Sequence, residues 1–229
     1  KRKSTLLSRT FKIIKMKILN LYACLGGNRY KWNEVKEDIE VTAVELDPEA
    51  AKLYQERFPN DKVIVGDAHQ YLLDHYKKYD FIWSSPPCPT HSRIQLSQYT
   101  TRDMVYPDMK LYQEIIFLNT FFKGKYVVEN VIPYYEPLIS ANKRDRHLYW
   151  TNFNLPYNLN GRKNPDLSRT KDLITAMSKY HDYDFRKYKG KQRIDKIARN
   201  LVDYEAGKTI FETMLGIVRK EDIKQTELF

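Results

Sequence analysis

Cysteine is scarce in this 229-residue chain, which holds only Cys24 and Cys88. Two thiols in this length make no disulfide framework, so a reducing cytoplasm is the expected setting. No apolar run approaches the roughly 20 residues of a membrane-spanning helix, so no membrane partner is expected. Internal repeats are missing, as are G-x-G-x-x-G and the GK[ST] phosphate loop, which leaves no cradle for a nucleotide phosphate. The long apolar stretch and small-residue cleavage site of a secretory signal are also absent.

Positive charge is plentiful but unevenly spread. The net charge is +10, from 39 Lys and Arg against 29 Asp and Glu. Residues 1–15, "KRKSTLLSRTFKIIK", hold six bases and no acid; without them 33 bases face 29 acids, or +4. This leader reads as an upstream start, a vector-derived remnant or a basic arm. A second concentration lies between Gly161 and Arg199, with 12 Lys or Arg and five Asp.

From Lys17 onward apolar runs alternate with helical patterns. "KILNLYA", "VTAVEL", "KVIVGD", "YDFIWSS", "KYVVENV" and "RHLYWTNF" read as six strands. "DPEAAKLYQERF" has Asp47 as N-cap and Pro48 at the first helical position. "AHQYLLDHYKKY" and "PDMKLYQEIIFLNTFFKG" are further helices, and "DYEAGKTIFETMLGIV" closes the pattern. The alternation predicts a doubly wound, Rossmann-like α/β sheet. Boundaries fall at a catalytic body of residues 16–153, a small basic lobe of 154–192, a closing helix of 193–218 and a flexible tail of 219–229.

In such a sheet ligands bind beyond the carboxyl ends of the strands. Four features fall there: the turn "ACLGGN", Glu45 after strand two, Asp67 in "VGD", and the stretch "SSPPCPTHS" after strand four. A carboxylate placed to accept both ribose hydroxyls, without a phosphate cradle, favours S-adenosylmethionine over a nucleotide phosphate.

Cys88 follows two prolines that fix the backbone and aim the side chain. Its flanks, Pro86, Pro87, Pro89, Thr90, His91 and Ser92, form a rigid polar loop rather than core. Glu129 in "VVENV" ends strand five on the same face, with Asn130 beside it to hold it. Thiolate plus carboxylic acid is the pair that activates a pyrimidine: sulfur adds to C6 while the acid engages N3, stabilising charge at C5.

These stretches resemble the DNA cytosine-5 methyltransferases in order and spacing over residues 17–152 and again over 193–215. "NLYACLGG" is similar to the family's cofactor turn, "VELD" and "GD" (66–67) to its second and third motifs, "PPC" to its nucleophile motif and "ENV" to the motif that contacts N3. "NKRDRHLYWTN" is similar to its arginine motif and "ARNLV" to its last motif. The resemblance implies an S-adenosylmethionine-dependent methyltransferase fold. Its cofactor would be held by Tyr22, Ala23, Gly26, Gly27, Glu45, Leu46, Asp67, Ala68, Pro86 and Asn200. Cys88 and Glu129 would be catalytic, Arg146 and Arg144 would contact cytosine or support Glu129, and Ser92 and Asn130 would face the substrate. No metal is implied. Cys24 and Asn20 stand where the family has a glycine and an acid, and Pro89 and His91 where it has a glutamine and another aromatic. Residues 154–192 stand where the family carries a larger target-recognition domain.

C5 chemistry requires a flipped or single-stranded base. The basic stretch offers Arg162, Lys163, Arg169 and Lys171 for phosphates, and Tyr180, Tyr183, Phe185 and Tyr188 for wedging or stacking. Double-stranded DNA is the expected partner; tRNA stays open, because a branch similar in motif methylates it. An amino-methyltransferase, suggested by "SSPP", and an inactive DNA-binding adaptor are the rival readings. The closing "QTELF" resembles a bacterial sliding-clamp-binding peptide, with Gln225, Leu228 and Phe229 as anchors. The setting implied is a bacterial or phage-infected cytoplasm, near the nucleoid.

Overall fold

The computed structural model of the chain describes residues 15–98, 103, 105–165 and 172–217. The leader through residue 14, the phosphate candidates Arg169 and Lys171, and the tail anchors Gln225, Leu228 and Phe229 lie outside the described residues.

Seven strands form one sheet in the order β3-β2-β1-β4-β5-β7-β6. β1 (Met16–Leu21), β2 (Ile39–Glu45), β3 (Lys62–Val65), β4 (Phe81–Ser84) and β5 (Lys125–Val131) run parallel. β7 (His147–Thr151) lies antiparallel to β5 and carries the short edge strand β6 (Asn142–Arg144). This is the predicted doubly wound α/β sheet. Its strand order reverses between β1 and β4, which places a ligand crevice above their carboxyl ends.

Strict alternation along the central strands buries both faces of the sheet. Ile18, Phe81, Trp83 and Val127 point to one side, against Trp32 of α1 (Trp32–Val35) and Ile210 and Phe211 of α8 (Tyr204–Met214). Leu19, Leu21, Ile82 and Val128 point to the other, against Leu72 of α3 (Ala68–His75) and Ile115 and Leu118 of α5 (Lys110–Phe121). Burial on both faces is why these strands read as continuous apolar runs.

Helix α2 (Pro48–Arg57) starts as predicted: Asp47 accepts from the amides of Glu49 and Ala50, with Pro48 at the first position. The sixth predicted strand is β7, trimmed to Thr151. β6 escaped prediction because "NKR" has no apolar alternation; it is paired only by the hairpin that turns at Asp145 (φ 50°).

The basic segment after Phe153 is not a surface lobe of free aromatics. Met177 of α6 (Leu173–His181), Phe185, Tyr188, and Ile197 and Ala198 of α7 (Ile194–Arg199) form a third core with Leu25, Ala50 and Leu53. Phe185 and Tyr188, expected to wedge or stack on nucleic acid, are 0% and 1% exposed. Tyr180 donates to Asp203, and the Tyr183 ring packs at the edge of Phe185 and under the Arg57 guanidinium. The apolar contacts come from several short elements, so no single period marked them. Among the described residues no helix is long and apolar enough to cross a membrane.

Candidate active site

A cleft of about 940 Å³ opens at the carboxyl ends of β1, β2, β4 and β5 and is roofed by α7 and the segment before it. That is the upper range for a small-molecule site. Among its lining residues are Tyr22, Glu45, Leu46, Asp67, Ala68, Pro86, Cys88, Glu129, Asn130 and Asn200, all predicted site residues.

One end of the cleft is acidic. The Glu45 carboxylate is held by two backbone amides, Cys24 at 2.7 Å and Asp47 at 2.9 Å, and burial raises its pKa. Those two bonds fix the carboxylate and leave each oxygen a free lone pair for a hydroxyl. Asp67 accepts from the Gln70 amide and lies 3.7 Å from Lys110 Nζ; that amide bond and the Lys110 charge hold its pKa below the usual value. Leu46 is 70% exposed, an apolar face for a ring. This donor set fits the ribose and base of S-adenosylmethionine: Glu45 for the hydroxyls, Leu46 and Asp67 for the base. A strap from the basic segment closes over this end, where Tyr188 and Gln192 both donate to Asp47, at 2.5 and 2.9 Å. Burial pushes Asp47 upward, but those bonds and the α2 amides together keep its pKa low.

The floor beneath Tyr22 is a buried carboxylate that the sequence reading passed over. Glu114 of α5 is fully buried; it accepts from Tyr22 OH and Ser84 Oγ, each at 2.6 Å, and lies 3.0 Å from His69 Nδ1. The hydrogen bond to Glu114 raises the pKa of His69. A lone acid inside the apolar run "LYQEIIFLN" was the available signal.

The other end holds the nucleophile candidate. β4 and β5 pair in parallel through Ser84 and Val128, so the Pro-Pro-Cys loop leaves β4 next to Glu129, which stays in β5. The Cys88 carbonyl accepts from His91 and Ser92 amides at 2.9 and 3.0 Å, coiling the loop back under the thiol. Burial, then the charge of Glu129, raises the Cys88 pKa, and the charge of Lys196 opposes them. Glu129 is 7% exposed, and His147 Nε2 lies 3.6 Å from its Oε1. His147 was not anticipated: nothing in "RHLYW" tells which residue of the strand faces the carboxyl.

Several predicted site residues lie elsewhere. Arg144 donates to the carbonyls of Pro156 and Leu155 at 2.6 and 3.1 Å, bracing the loop after β7 rather than Glu129. Arg146 is not among the cleft residues; its Nε sits 3.9 Å from Asp145 on the hairpin. Asn130 lines the cleft, but its Nδ2 donates to the Pro86 carbonyl at 3.0 Å, so it anchors the cysteine loop instead of Glu129 or substrate. Ser92 Oγ accepts from the Ile94 amide at the start of α4 (Ile94–Gln98), away from the cleft.

The glycines of the turn are required by packing. A Cβ on Gly26 would meet Phe58 at 2.4 Å, and one on Gly27 would meet the Val202 carbonyl at 2.4 Å. Ala23 is buried with Ala43, Tyr54 and Phe58. Tyr22 and Cys24 face the cleft from this turn, both with positive φ (55° and 46°). Arg162 is no free phosphate contact: it bonds the Tyr180 carbonyl and Tyr204 OH, pairs with Asp203, and its guanidinium lies 3.6 Å from the Tyr204 ring centroid. Lys163 is exposed outside the cleft. The bases on the cleft rim are Lys110, Lys189, Lys191, Lys196 and Arg199.

Comparison with known proteins gives four findings. A family model described as C-5 cytosine-specific DNA methylase matches residues 16–137, the span that holds both cleft ends. A tRNA (cytosine(38)-C(5))-methyltransferase of Spodoptera frugiperda is 35% identical over 80 residues, 34% of this chain and 24% of that protein's length. A solved structure of a DNMT2 mutant from the same organism aligns at 26% identity over 51% of this chain and 36% of its own, with a TM-score of 0.38. PKMT2 from Rickettsia typhi, solved in complex with AdoHcy, aligns at 16% identity over 50% of this chain and 21% of its own, with a TM-score of 0.36.

Proposed function

This chain belongs to the C-5 cytosine-specific DNA methylase family, whose cofactor is S-adenosylmethionine, and we propose that it methylates C5 of cytosine in DNA. The observation that carries the reading is that the loop after β4 and the carboxyl end of its parallel neighbour β5 bring Cys88 and Glu129 into one cleft, with a fixed hydroxyl acceptor, Glu45, at its far end.

The chemistry follows from those groups. The Cys88 thiolate forms a bond to C6 of a flipped cytosine, and the C5=C6 electron pair moves toward C5 and N3. The Glu129 carboxyl engages N3 and stabilises that charge as it develops. S-adenosylmethionine, held at the acidic end by Glu45 and Asp67, would supply an electrophilic sulfonium methyl for C5, its S–CH3 bond breaking to leave S-adenosylhomocysteine. Transfer of the C5 proton to solvent water then restores the double bond and expels the Cys88 thiolate. Because Asn130 ties Pro86 to β5, nucleophile and acid are held in one rigid frame, which favours a single reactive geometry. Lys189, Lys191 and Arg199 on the rim suit the phosphates that flank the base.

A second reading, with tRNA as the polymer, draws on the likeness to the Spodoptera frugiperda enzyme. Tritiated S-adenosylmethionine, offered with duplex DNA and separately with tRNA transcripts, decides between them. Label in 5-methylcytosine of DNA supports the first reading, and label in tRNA alone supports the second. Label in N4-methylcytosine or N6-methyladenine contradicts both. No label on either polymer leaves a binding adaptor.

A further inference from the structure

Glu114 is fully enclosed on the buried face of α5, which also carries Leu111, Ile115 and Leu118. A carboxylate is expensive to desolvate in such a place, and an apolar residue of similar volume often packs there at least as well. Stability alone therefore gives no reason for an acid at this position. The reason lies in three partners, each rooted in a different wall of the cleft. Tyr22 OH, in the turn after β1, donates to Oε1 at 2.6 Å, and Ser84 Oγ, at the end of β4, donates to Oε2 at 2.6 Å. His69 Nδ1, in the first turn of α3, lies 3.0 Å from Oε1. Tyr22 lines the cleft, as do Asp67 and Ala68 just before His69 and Ser85 and Pro86 just after Ser84. Glu114 itself has no surface there.

We infer that Glu114 is a positioning residue for cofactor binding: it fixes the Tyr22 ring in the wall of the acidic end and locks that wall to β4 and α3. Tyr22 has a left-handed backbone, with φ 55°, which an aromatic residue keeps only where its surroundings hold it. Burial, then the Glu114 charge, raises the Tyr22 pKa, so the phenol keeps its proton and remains a donor. The His69 contact steadies the helix start that Asp67 caps. Glu114 thus acts through Tyr22 and its neighbours and does not touch the cofactor. The inference rests on the reading of the acidic end as the S-adenosylmethionine site.

The test is the affinity of the full chain for S-adenosylhomocysteine, measured by calorimetry, which needs neither nucleic acid nor turnover. Tyr22→Phe removes only the hydroxyl and should raise Kd about three- to tenfold, as expected for one charge-assisted hydrogen bond. Glu114→Leu removes the acceptor and should raise Kd about tenfold or more. Glu114→Gln keeps one acceptor oxygen and should recover part of that loss. In the Tyr22→Phe background Glu114→Leu should add clearly less than it does alone, because the bond they share is already gone. Tyr126→Phe serves as the stability control: it removes a buried hydroxyl bonded to Asn119 of α5 at 3.3 Å, outside the cleft, and should leave Kd in place. If Glu114→Leu does not fold, Tyr22→Phe and Glu114→Gln, singly and combined, carry the same test. An unchanged Kd in Tyr22→Phe and in the Glu114 variants overturns the inference, as do effects that simply multiply in the double variant. So does an equal rise in Tyr126→Phe, which would assign the effect to general loosening around α5. A wild-type chain that binds no S-adenosylhomocysteine is a separate result: the cofactor reading falls, and the inference with it.

Discussion

Asn130 Nδ2 donates to the carbonyl of Pro86 at 3.0 Å, joining the end of β5 to the loop that carries Cys88. Its own Oδ1 accepts from the Val131 amide at 2.9 Å, which fixes the amide orientation. Replacement by alanine leaves the buried Pro86 carbonyl without this donor. The expected cost is about 1–3 kcal/mol in urea denaturation. The single-turnover methylation rate should fall by about tenfold or more, because nucleophile and acid lose their common frame. Cofactor affinity should fall far less than the rate, since Glu45 ends β2 and Asp67 caps α3, away from this bond.

Glu45→Gln tests the acidic end. The amide nitrogen of Gln cannot accept, so one of the bonds from Cys24 and Asp47 is lost, together with one hydroxyl acceptor. Cofactor affinity measured by calorimetry should weaken by about tenfold or more, or about 1.4 kcal/mol. Unchanged affinity would mean that the ribose lies elsewhere.

Two glycine substitutions separate packing from local flexibility. Gly27→Ala drives a methyl onto the Val202 carbonyl and should cost about 1–3 kcal/mol in thermal or urea unfolding. In Gly66→Ala the nearest atom is Ile64 Cγ2 at 4.0 Å, so that variant should unfold almost as wild type does.

Acid sensitivity should trace in part to His181. It is 1% exposed, its Nδ1 has no hydrogen-bond partner among the described residues, and burial, then the Arg162 charge, lowers its pKa to about 3. Between about pH 6.5 and that value the unfolded chain binds a proton that the folded chain refuses, so stability falls on acidification. The slope from this group is at most about 1.4 kcal/mol per pH unit. His91, also lowered by burial, acts in the same direction. His69 acts in the opposite sense: its raised pKa contributes stability that is full below about pH 6.5 and lost as pH rises through the folded value. Unfolding of wild type and His181→Gln compared from pH 6 to pH 5 isolates the first effect, and the variant should lose less stability over that interval.

Strand phase was the part of this molecule most legible in the sequence. Alternation located the carboxyl ends, and with them Glu45, Asp67, Cys88 and Glu129 in one cleft; the Asp47-Pro48 start of α2 was equally plain. Side-chain direction away from regular elements was not legible. Arg144 belongs to a stretch that resembles an arginine motif, yet its guanidinium braces two carbonyls across the hairpin, a tertiary contact that no local pattern encodes. Phe185 and Tyr188 sit among lysines and arginines and read as surface, although short elements fold them against Leu25 and Leu53. His147 and Lys196 entered the site for the same reason, through the placement of β7 and α7.

The most direct test of the account is covalent trapping. The full chain is incubated with S-adenosylmethionine and duplex DNA containing 5-fluorocytosine, where the fluorine blocks loss of the C5 substituent and holds the sulfur–C6 bond. The account predicts a denaturant-stable adduct that maps to Cys88 by mass spectrometry and is absent in Cys88→Ser. Methylation of ordinary DNA that persists in Cys88→Ser without any adduct would contradict it.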